Sequence, residues 1–489
     1  MENNKKRVRT RYAPSPTGFM HIGNLRTALY EYLIAKSQDG DFVLRIEDTD
    51  RERYVQGAEE IIYSTLKTVG LNHDEGPDIG GTYGPYIQSQ RKEMYMPYAK
   101  KLVEDGKAYY CFCDKERLEK LRSEGSNEEY GGYDRHCRNL TQEEIKSKLN
   151  AGIPYVIRQK MPLNGTTTFK DAVFGEVTVE NKELQDQILI KADGYPTYNF
   201  ANVIDDHTMG ITHVVRGCEY LSSTPKYNLL YEAFGWEVPE YIHLPLIMGK
   251  NEDGSISKLS KRHGAVSFEE LVKDGYLPEA IVNYIALLGW CPKDNNEIFS
   301  LEALKKEFST DRISKSPSIF DYDKLNWFNS EYIRKMTAEE FFNVSQPVIK
   351  SFIGEIKLDC KKISEVLHQR VIKLTDIPNM IGFLKELPDY EKEIFINKKS
   401  KTNLENSLVV LNRAKIELEN LKDWNHDEIH SLLINMAKDM ELKNGTVMWP
   451  VRIAISGQTM TPGGAIEILE ILGKDESLRR IELAIKKLI

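Results

Sequence analysis

Residues 7–50 read RVRTRYAPSPTGFMHIGNLRTALYEYLIAKSQDGDFVLRIEDTD. Val8, Thr10 and Tyr12 alternate with Arg7, Arg9 and Arg11, the period of a strand. Pro14-Ser-Pro-Thr-Gly18 is a turn. From about Asn24 to Lys36 the residues Leu25, Ala28, Leu29, Tyr32 and Leu33 recur at helical spacing, and Gly40 stands where a C-terminal glycine ends a helix. Phe42 to Ile46 forms a second strand that runs into Glu47-Asp48-Thr49-Asp50. The order is β-loop-α-β, and in open α/β sheets ligands bind at the carboxyl ends of the strands.

Outward from this unit, helices are expected near Gly57–Val69, stopped by Gly70, and near Ser89–Glu104. Strand and helix thus alternate through the first hundred residues, which favours a mostly parallel α/β sheet. From about Tyr110 to Lys191 the texture changes. A cysteine pair and a charged helix precede short strand-like segments at Tyr155–Arg158, Val177–Val179 and Gln187–Ile190, as in an insertion between two halves of one domain. The alternation resumes with Tyr198 to Val203, His213 to Arg216 and a helix from Thr224 to Phe234. A Gly/Ser-rich loop spans Met248 to Gly264, and beyond Val266 the pattern is mainly helical, as in the Glu/Lys-rich segment Thr402–Leu421.

A chain of 489 residues predicts more than one domain. Its 41% hydrophobic and 29% charged content suits a soluble globular protein. No run of eighteen apolar residues is present, and MENNKKRVRT has no apolar core of a secretory signal. Six cysteines are too few for a disulfide framework and fit a reducing, cytoplasmic setting. The net charge of −8 argues against broad, nonspecific nucleic-acid binding but leaves room for a local basic surface. Arg479-Arg480 with Lys486-Lys487 is read as a solvated face.

Two loops carry chemistry. In the first, Gly18 and Gly23 have the spacing of a phosphate-binding P-loop, but Asn24-Leu25 follows instead of Lys-Ser/Thr, and no GxGxxG occurs. A P-loop triphosphatase and a nicotinamide-dinucleotide site are therefore disfavoured. What remains is His21-Ile-Gly-Asn24 at a helix N-terminus, whose free N–H groups and partial positive charge attract phosphate. The second loop holds Lys258-Leu-Ser-Lys-Arg262, two lysines three apart. It is either an exposed basic loop or a mobile cationic arm that closes over a triphosphate.

Together the two loops resemble the HIGH and KMSKS signatures of class I aminoacyl-tRNA synthetases. The flanks RYAPSPTG, HIGN-L-RTAL, LRIEDTDRER, DEGPDIGG, DGYPTYNFANVIDDH and KLSKRHG are similar to bacterial-type glutamyl-tRNA synthetases, and the likeness covers essentially the whole chain. It implies a Rossmann-like parallel-sheet catalytic domain in two halves, 1–111 and 192–265. An α+β insertion at 112–191 would hold the tRNA acceptor end. A helical stem-contact region would follow at 266–330, and an all-α anticodon-binding region at 331–489.

The resemblance also implies roles. His21, Gly23, Lys258 and Lys261 would be catalytic. ATP, brought with magnesium, would meet His21, Gly23, Asn24, Ile247, Lys258, Ser260 and Lys261. Arg11, Tyr198 and Arg216 stand where the family grips the carboxylates of glutamate, and Ala13, Ser15 and Glu47 where it holds the α-ammonium group. Asn202 and Glu219 fall at matched pocket positions, and Tyr220 replaces a tryptophan of some relatives. Arginine binds carboxylate in bidentate fashion, so a cationic pocket selects glutamate against glutamine. The implied partners are L-glutamate, ATP and tRNA-Glu, with tRNA-Gln as a second candidate, on a cytoplasmic monomer that binds neither DNA nor membrane. For Asp48 and Asp50 the alternative is a helix cap or salt-bridge partner.

Cys111, Cys113 and Cys137 resemble a zinc site of some members. Tetrahedral zinc wants a fourth ligand. Asn139 occupies the position where a histidine would serve, which leaves His136 as the candidate and a metal-free knuckle as the alternative. Cys218, Cys291 and Cys360 are expected to be ordinary buried or half-buried thiols.

Overall fold

In the computed structural model, which describes residues 6–49, 55–123 and 133–489, the chain divides into two units. These are Met1–Leu271 with Ile281–Asp321, and Val272–Ala280 with Tyr322–Ile489. Asp50, Arg51, Glu52 and Arg53 of the LRIEDTDRER motif lie outside the described residues.

The first unit runs β1 (Arg9–Tyr12), α1 (Ile22–Lys36), β2 (Asp41–Leu44), α2 (Ala58–Thr68), α3 (Lys92–Glu104), β3 (Ala108–Cys111), α4 (Lys115–Ser123), α5 (Gln142–Asn150), β4 (Val156–Gln159), β5 (Thr166–Asp171), β6 (Gly175–Glu180), β7 (Ile188–Ile190), α6 (Tyr198–Thr208), β8 (His213–Gly217), α7 (Thr224–Phe234), β9 (Glu240–Leu244), β10 (Ile247–Lys250) and β11 (Ile256–Lys258). Strands β1 and β2 are parallel, with Arg9 opposite Asp41, and α1 is their crossover. On the other side of β1, the Thr212 N–H donates to the Arg9 carbonyl at 2.9 Å and leads into β8. Strand β8 runs parallel to β9, and β5 joins β9 through Asp171 opposite Tyr241. The connections leave β1 in opposite directions, so a crevice opens beyond the carboxyl ends of β1 and β8.

β1 is buried along its whole length, including Arg9 and Arg11. Its alternation of apolar and charged residues therefore does not divide core from solvent. Both faces of a central parallel strand are covered, and the arginines survive burial because carboxylates meet them. Arg9 pairs with Asp41 at 2.8 Å and Glu75 at 3.0 Å.

Three local expectations change. Helix α1 ends at Lys36 with Ser37 as its C-terminal cap, and the left-handed residue is Asp39, with φ of 50°. Gly40 is required for a different reason: a Cβ there would stand 2.3 Å from the Val8 carbonyl oxygen. Tyr198 to Val203, which falls among strands by sequence pattern, opens helix α6, because Tyr198, Asn202, Asp205 and Asp206 share its inward side at helical spacing. Residues 166–180, grouped with the insertion by sequence, place β5 in the sheet of β8 and β9, whereas β3, β4 and β7 form a separate antiparallel sheet.

The second unit is helical. Its core contains Phe341, Ile349, Leu411, Leu433, Ile453, Leu469 and Ile481. Thr337 and Glu340 form a reciprocal capping box at the start of Ala338–Ile353, which satisfies two otherwise orphaned N–H groups. Arg480 is not on a solvated face. It is 1% exposed and donates at 2.7 Å to the Phe383 and Ile455 carbonyls. Among the described residues no helix is long and apolar enough to cross a membrane.

Candidate active site

The carboxyl ends of β1, β8 and β9 open onto a cavity of about 460 Å³. It is lined by Arg11, Ala13, Ser15, His21, Gly23, Asn24, Glu47, Tyr198, Arg216, Glu219, Ile247 and Lys258, so the fold gathers twelve of the expected positions around one space. Asn202 lies buried one helical turn behind Tyr198, and its Nδ2 has no hydrogen-bond partner. Ser260, Lys261 and Arg262 sit on a turn beyond the cavity lining, with both basic side chains exposed.

His21 caps α1 with its own ring. Nδ1 accepts the Gly23 N–H at 3.0 Å, and the ring also meets the Leu259 backbone. Burial, then the nearby Lys258 charge, hold the imidazole below its ordinary pKa. The neutral ring therefore carries its proton on Nε2, where it can be donated. The Ile22 N–H donates to the Val266 carbonyl and the Phe268 N–H to the Met20 carbonyl, at 2.9 and 3.0 Å. These bonds hold the segment that follows the lysine loop against the histidine loop, more than two hundred residues away in sequence.

Arg216 is 6% exposed, and its Nε has no hydrogen-bond partner. Among the described residues no carboxylate pairs with it. Aromatic faces surround it instead: Tyr227 at 4.5 Å, Tyr220 at 5.4 Å and Tyr241 at 5.5 Å from guanidinium carbon to ring centre. A buried cation without a counter-charge is costly unless a ligand supplies one. Arg11 differs. Its Nε donates to Asp206 at 2.9 Å and its Nη1 to Glu31 at 3.1 Å, so its charge is already met.

Four further groups of this neighbourhood are not among the expected site residues. Arg45, fully buried, donates to Glu47 at 3.0 Å and pairs with Asp206 at 2.8 Å. Against the push of burial, Arg11 and Arg45 hold the Asp206 carboxyl below its ordinary range. Glu31 is pushed well up by burial. Arg26 lines the cavity and donates to the carbonyls of Leu288 and Pro245. Removing one member of the Arg11–Asp206–Arg45–Glu47 chain would strand a buried charge, at a cost of about 3–5 kcal/mol. Helical spacing could have flagged Asp206 beside Tyr198 and Asn202, and Arg45 lies in the LRIEDTDRER motif, two residues before Glu47.

Burial pushes the Glu47 carboxyl up to about 7 against the pull of Arg45 and Arg11. Holding an ammonium group needs the ionised form. With Glu47 in its expected role toward the α-ammonium group, glutamate use is predicted to strengthen as pH rises through about 7, and kcat/KM for glutamate against pH, which reports groups of the free enzyme, measures it. Glu47→Gln should remove that limb of the profile; a limb retained in this variant assigns it elsewhere. Asp48 is a cap: its Oδ1 accepts the Ser89 N–H at 2.7 Å.

Lys258 bridges the cavity rim, with its Nζ 3.6 Å from Glu219 Oε1. Away from the cavity, the sulfurs of Cys111, Cys113 and Cys137 lie within 4.8 Å of one another. His136 is exposed and is not part of this trio; the Tyr133 hydroxyl is 3.1 Å from Cys111 Sγ. The Phe112 N–H donates to Cys137 Sγ at 3.4 Å and Arg117 Nη1 to Cys113 Sγ at 3.7 Å. Of the remaining thiols, Cys218 and Cys360 are half-buried, but Cys291 is exposed.

Residues 7–327 match the family model described as tRNA synthetases class I (E and Q), catalytic domain, and residues 326–485 match an anticodon binding domain. A glutamate–tRNA ligase of Clostridium novyi is 57% identical over 99% of this chain and 98% of its own length. One of Clostridium acetobutylicum is 58% identical over 98% and 99%. The crystal structure of a glutamate tRNA ligase from Elizabethkingia meningosepticum in complex with its amino acid superposes with a TM-score of 0.89 at 36% identity, covering 99% of this chain and 100% of that one. With residues 7–485 covered by the two family models and relatives this similar along their whole lengths, the chain belongs to the glutamate–tRNA ligase family of class I aminoacyl-tRNA synthetases.

Proposed function

We infer that the protein joins L-glutamate to tRNA-Glu in two steps, with MgATP as co-substrate. The carrying observation is Arg216, a buried guanidinium without a counter-charge in a cavity that also takes in the His21 helix terminus. A carboxylate side chain meets that charge, and the neutral amide of glutamine does not. Glu47, Ser15 and Ala13 receive the α-ammonium group, and Tyr198 closes the glutamate pocket. Arg11, whose guanidinium is already engaged by Asp206 and Glu31, adds positive potential to the carboxylate end.

In the first step the α-carboxylate of glutamate attacks the α-phosphorus of ATP and pyrophosphate leaves. The protein supplies no nucleophile. The His21 Nε2 proton, the N–H groups at the start of α1 and the Lys258 and Lys261 charges stabilise the phosphate oxygens, and fixed geometry does the rest. Gly23, Asn24, Ile247 and Ser260 leave room for the nucleotide. In the second step a ribose hydroxyl of the terminal tRNA adenosine attacks the acyl carbonyl and AMP leaves. Residues 112–191 hold the acceptor end, 266–330 meet the stem, and 331–489 read the anticodon, where unstacked bases permit specific recognition.

Glutamate-dependent pyrophosphate exchange, run with and without tRNA, tests the reading. Exchange with glutamate that needs tRNA is expected, together with charging of purified tRNA-Glu; preference for glutamine would sink it. The same charging assay on tRNA-Gln decides whether the anticodon region accepts both.

The donor set of Cys111, Cys113, Cys137 and the Tyr133 hydroxyl fits zinc, which prefers four sulfur, nitrogen or oxygen ligands. Bound there, zinc would clamp β3 to the turn at Cys137 and take no part in the reaction. Metal analysis of the purified protein should find about one zinc per chain, lost in Cys113→Ser; a metal-free protein with four intact ligands would count against it.

A further inference from the structure

Asp186 lies in the connection between β6 and β7, its carboxylate is fully buried, and neither of the two reaction steps uses it. Its Oδ2 accepts the Tyr109 hydroxyl at 2.8 Å, and Arg138 Nη1 donates to both of its oxygens at 3.0 Å. Oδ1 also accepts the Met161 N–H at 3.0 Å and stands 3.7 Å from Arg135 Nε. The Asp186 backbone carbonyl accepts Arg158 Nη1 at 2.9 Å.

The side-chain donors all adjoin the cysteine cluster. Tyr109 and Cys111 are two residues apart in β3 and share one face of the strand. Arg138 follows Cys137 on the turn His136–Asn139, and Arg135 precedes that turn. The Arg158 guanidinium lies 3.9 Å from the centre of the Tyr133 ring, whose hydroxyl is 3.1 Å from Cys111 Sγ. Tyr109, Cys111, Tyr133 and Cys137 pack as one buried cluster, and the half-buried Cys113 sulfur stands 3.5 Å from that of Cys137. The turn has a second anchor at its half-exposed edge, where Asp134 accepts the His136 N–H at 3.2 Å and pairs with Arg117. On the buried side, a carboxylate that binds Tyr109 and Arg138 together fixes β3 against the Cys137 turn through charge-assisted bonds, with no help from a metal.

We propose that Asp186 is a positioning residue for the metal site, a buried clamp that sets the separation of the Cys111 and Cys137 sulfurs and with it the affinity for zinc. This rests on the reading of the cysteine trio and Tyr133 as zinc ligands. Asp186 ligates nothing itself. It acts through Tyr109 and Arg138, as outer partners orient the donors of a metal site. Its loss leaves all four donors in the chain but lets the strand and the turn drift apart, so the metal must then pull them together.

Cobalt(II) titration of the full-length protein, stripped of metal with a chelator and kept reduced, forms the test. The readout is the near-ultraviolet thiolate-to-cobalt band, taken at a temperature where circular dichroism shows the metal-free protein folded, and displacement by zinc gives the zinc affinity. Asp186→Asn and Arg138→Gln should each weaken binding about 10–100-fold, the range for loss of an outer partner, with the saturated band unchanged because the ligands are the same. Tyr109→Phe keeps the ring in the cluster and removes only the hydroxyl, and should weaken binding about fivefold, the scale of one hydrogen bond. The Asp186→Asn, Arg138→Gln double variant should bind no more weakly than the weaker single, because both open one clamp. Parent affinity in Asp186→Asn and Arg138→Gln, with Cys113→Ser still defective, overturns the clamp alone, and a lower melting temperature beside that affinity reduces Asp186 to support of the fold. Should Asp186→Asn not fold, Arg138→Gln and Tyr109→Phe decide, and parent affinity in both overturns the clamp. A parent protein that gives no thiolate band, or a Cys113→Ser variant that binds as the parent does, removes the zinc reading itself and the clamp with it.

Discussion

Lys261→Ala is expected to lower turnover about 10²–10³-fold at saturating substrates, the loss that follows removal of one transition-state donor. Its turn is a preformed piece. The Ser260 N–H donates to His263 Nδ1 at 3.0 Å, and His263 Nε2 meets Asn251 Oδ1 at 2.9 Å. A Cβ at Gly249 would stand 2.6 Å from the His263 ring, so β10 and the turn pack as one body. Lys261 itself is exposed and has no ion-pair partner among the described residues, which leaves its charge free for a triphosphate. Lys258 is already engaged with Glu219 across the rim. Because the departing pyrophosphate gains charge in the transition state, the loss should fall on kcat and leave KM for glutamate near its starting value. Pyrophosphate exchange and single-turnover adenylate formation measure it, and near-normal turnover would remove Lys261 from the mechanism.

Arg216→Ala should lower kcat/KM for glutamate about 10²–10³-fold and leave ATP binding intact, since a charge-assisted, desolvated contact is lost from one substrate only. The variant should also lose most of its preference for glutamate over glutamine. Arg216→Lys should recover little, because an ammonium cannot reproduce the planar fork and would not lie against three tyrosine rings as a guanidinium does. Competition between the two amino acids, alongside direct ATP binding, measures both effects. Equal losses for glutamate and ATP would show that Arg216 supports the fold and does not select the substrate.

Much of the site was legible because its signals are local. A strand, a Pro/Gly turn and His-Ile-Gly-Asn at a helix start lie within forty residues, and propensity and spacing act at that range. The two lysines of the second loop are equally plain. Helix ends were less so. Gly40 follows a helix, as a capping glycine would, yet it is held by the approach of the carbonyl of Val8, the residue before β1, which no local rule contains. His136 adjoins Cys137 in sequence, but the turn there carries it outward and brings Tyr133 to the sulfurs.

The sequence by itself determined the α/β class, the helical second unit, the two signature loops and the arginines proposed to meet glutamate. Tertiary structure alone decided which charges are spent and which are free. Arg11, Arg45 and Arg216 look alike as letters. The first two are engaged by Asp206, with Glu31 and Glu47 as further hydrogen-bond partners, and the third has no carboxylate partner among the described residues. That difference arises from pairings up to 195 residues apart in a buried, low-dielectric space, where charge energies are large and only distance sets them.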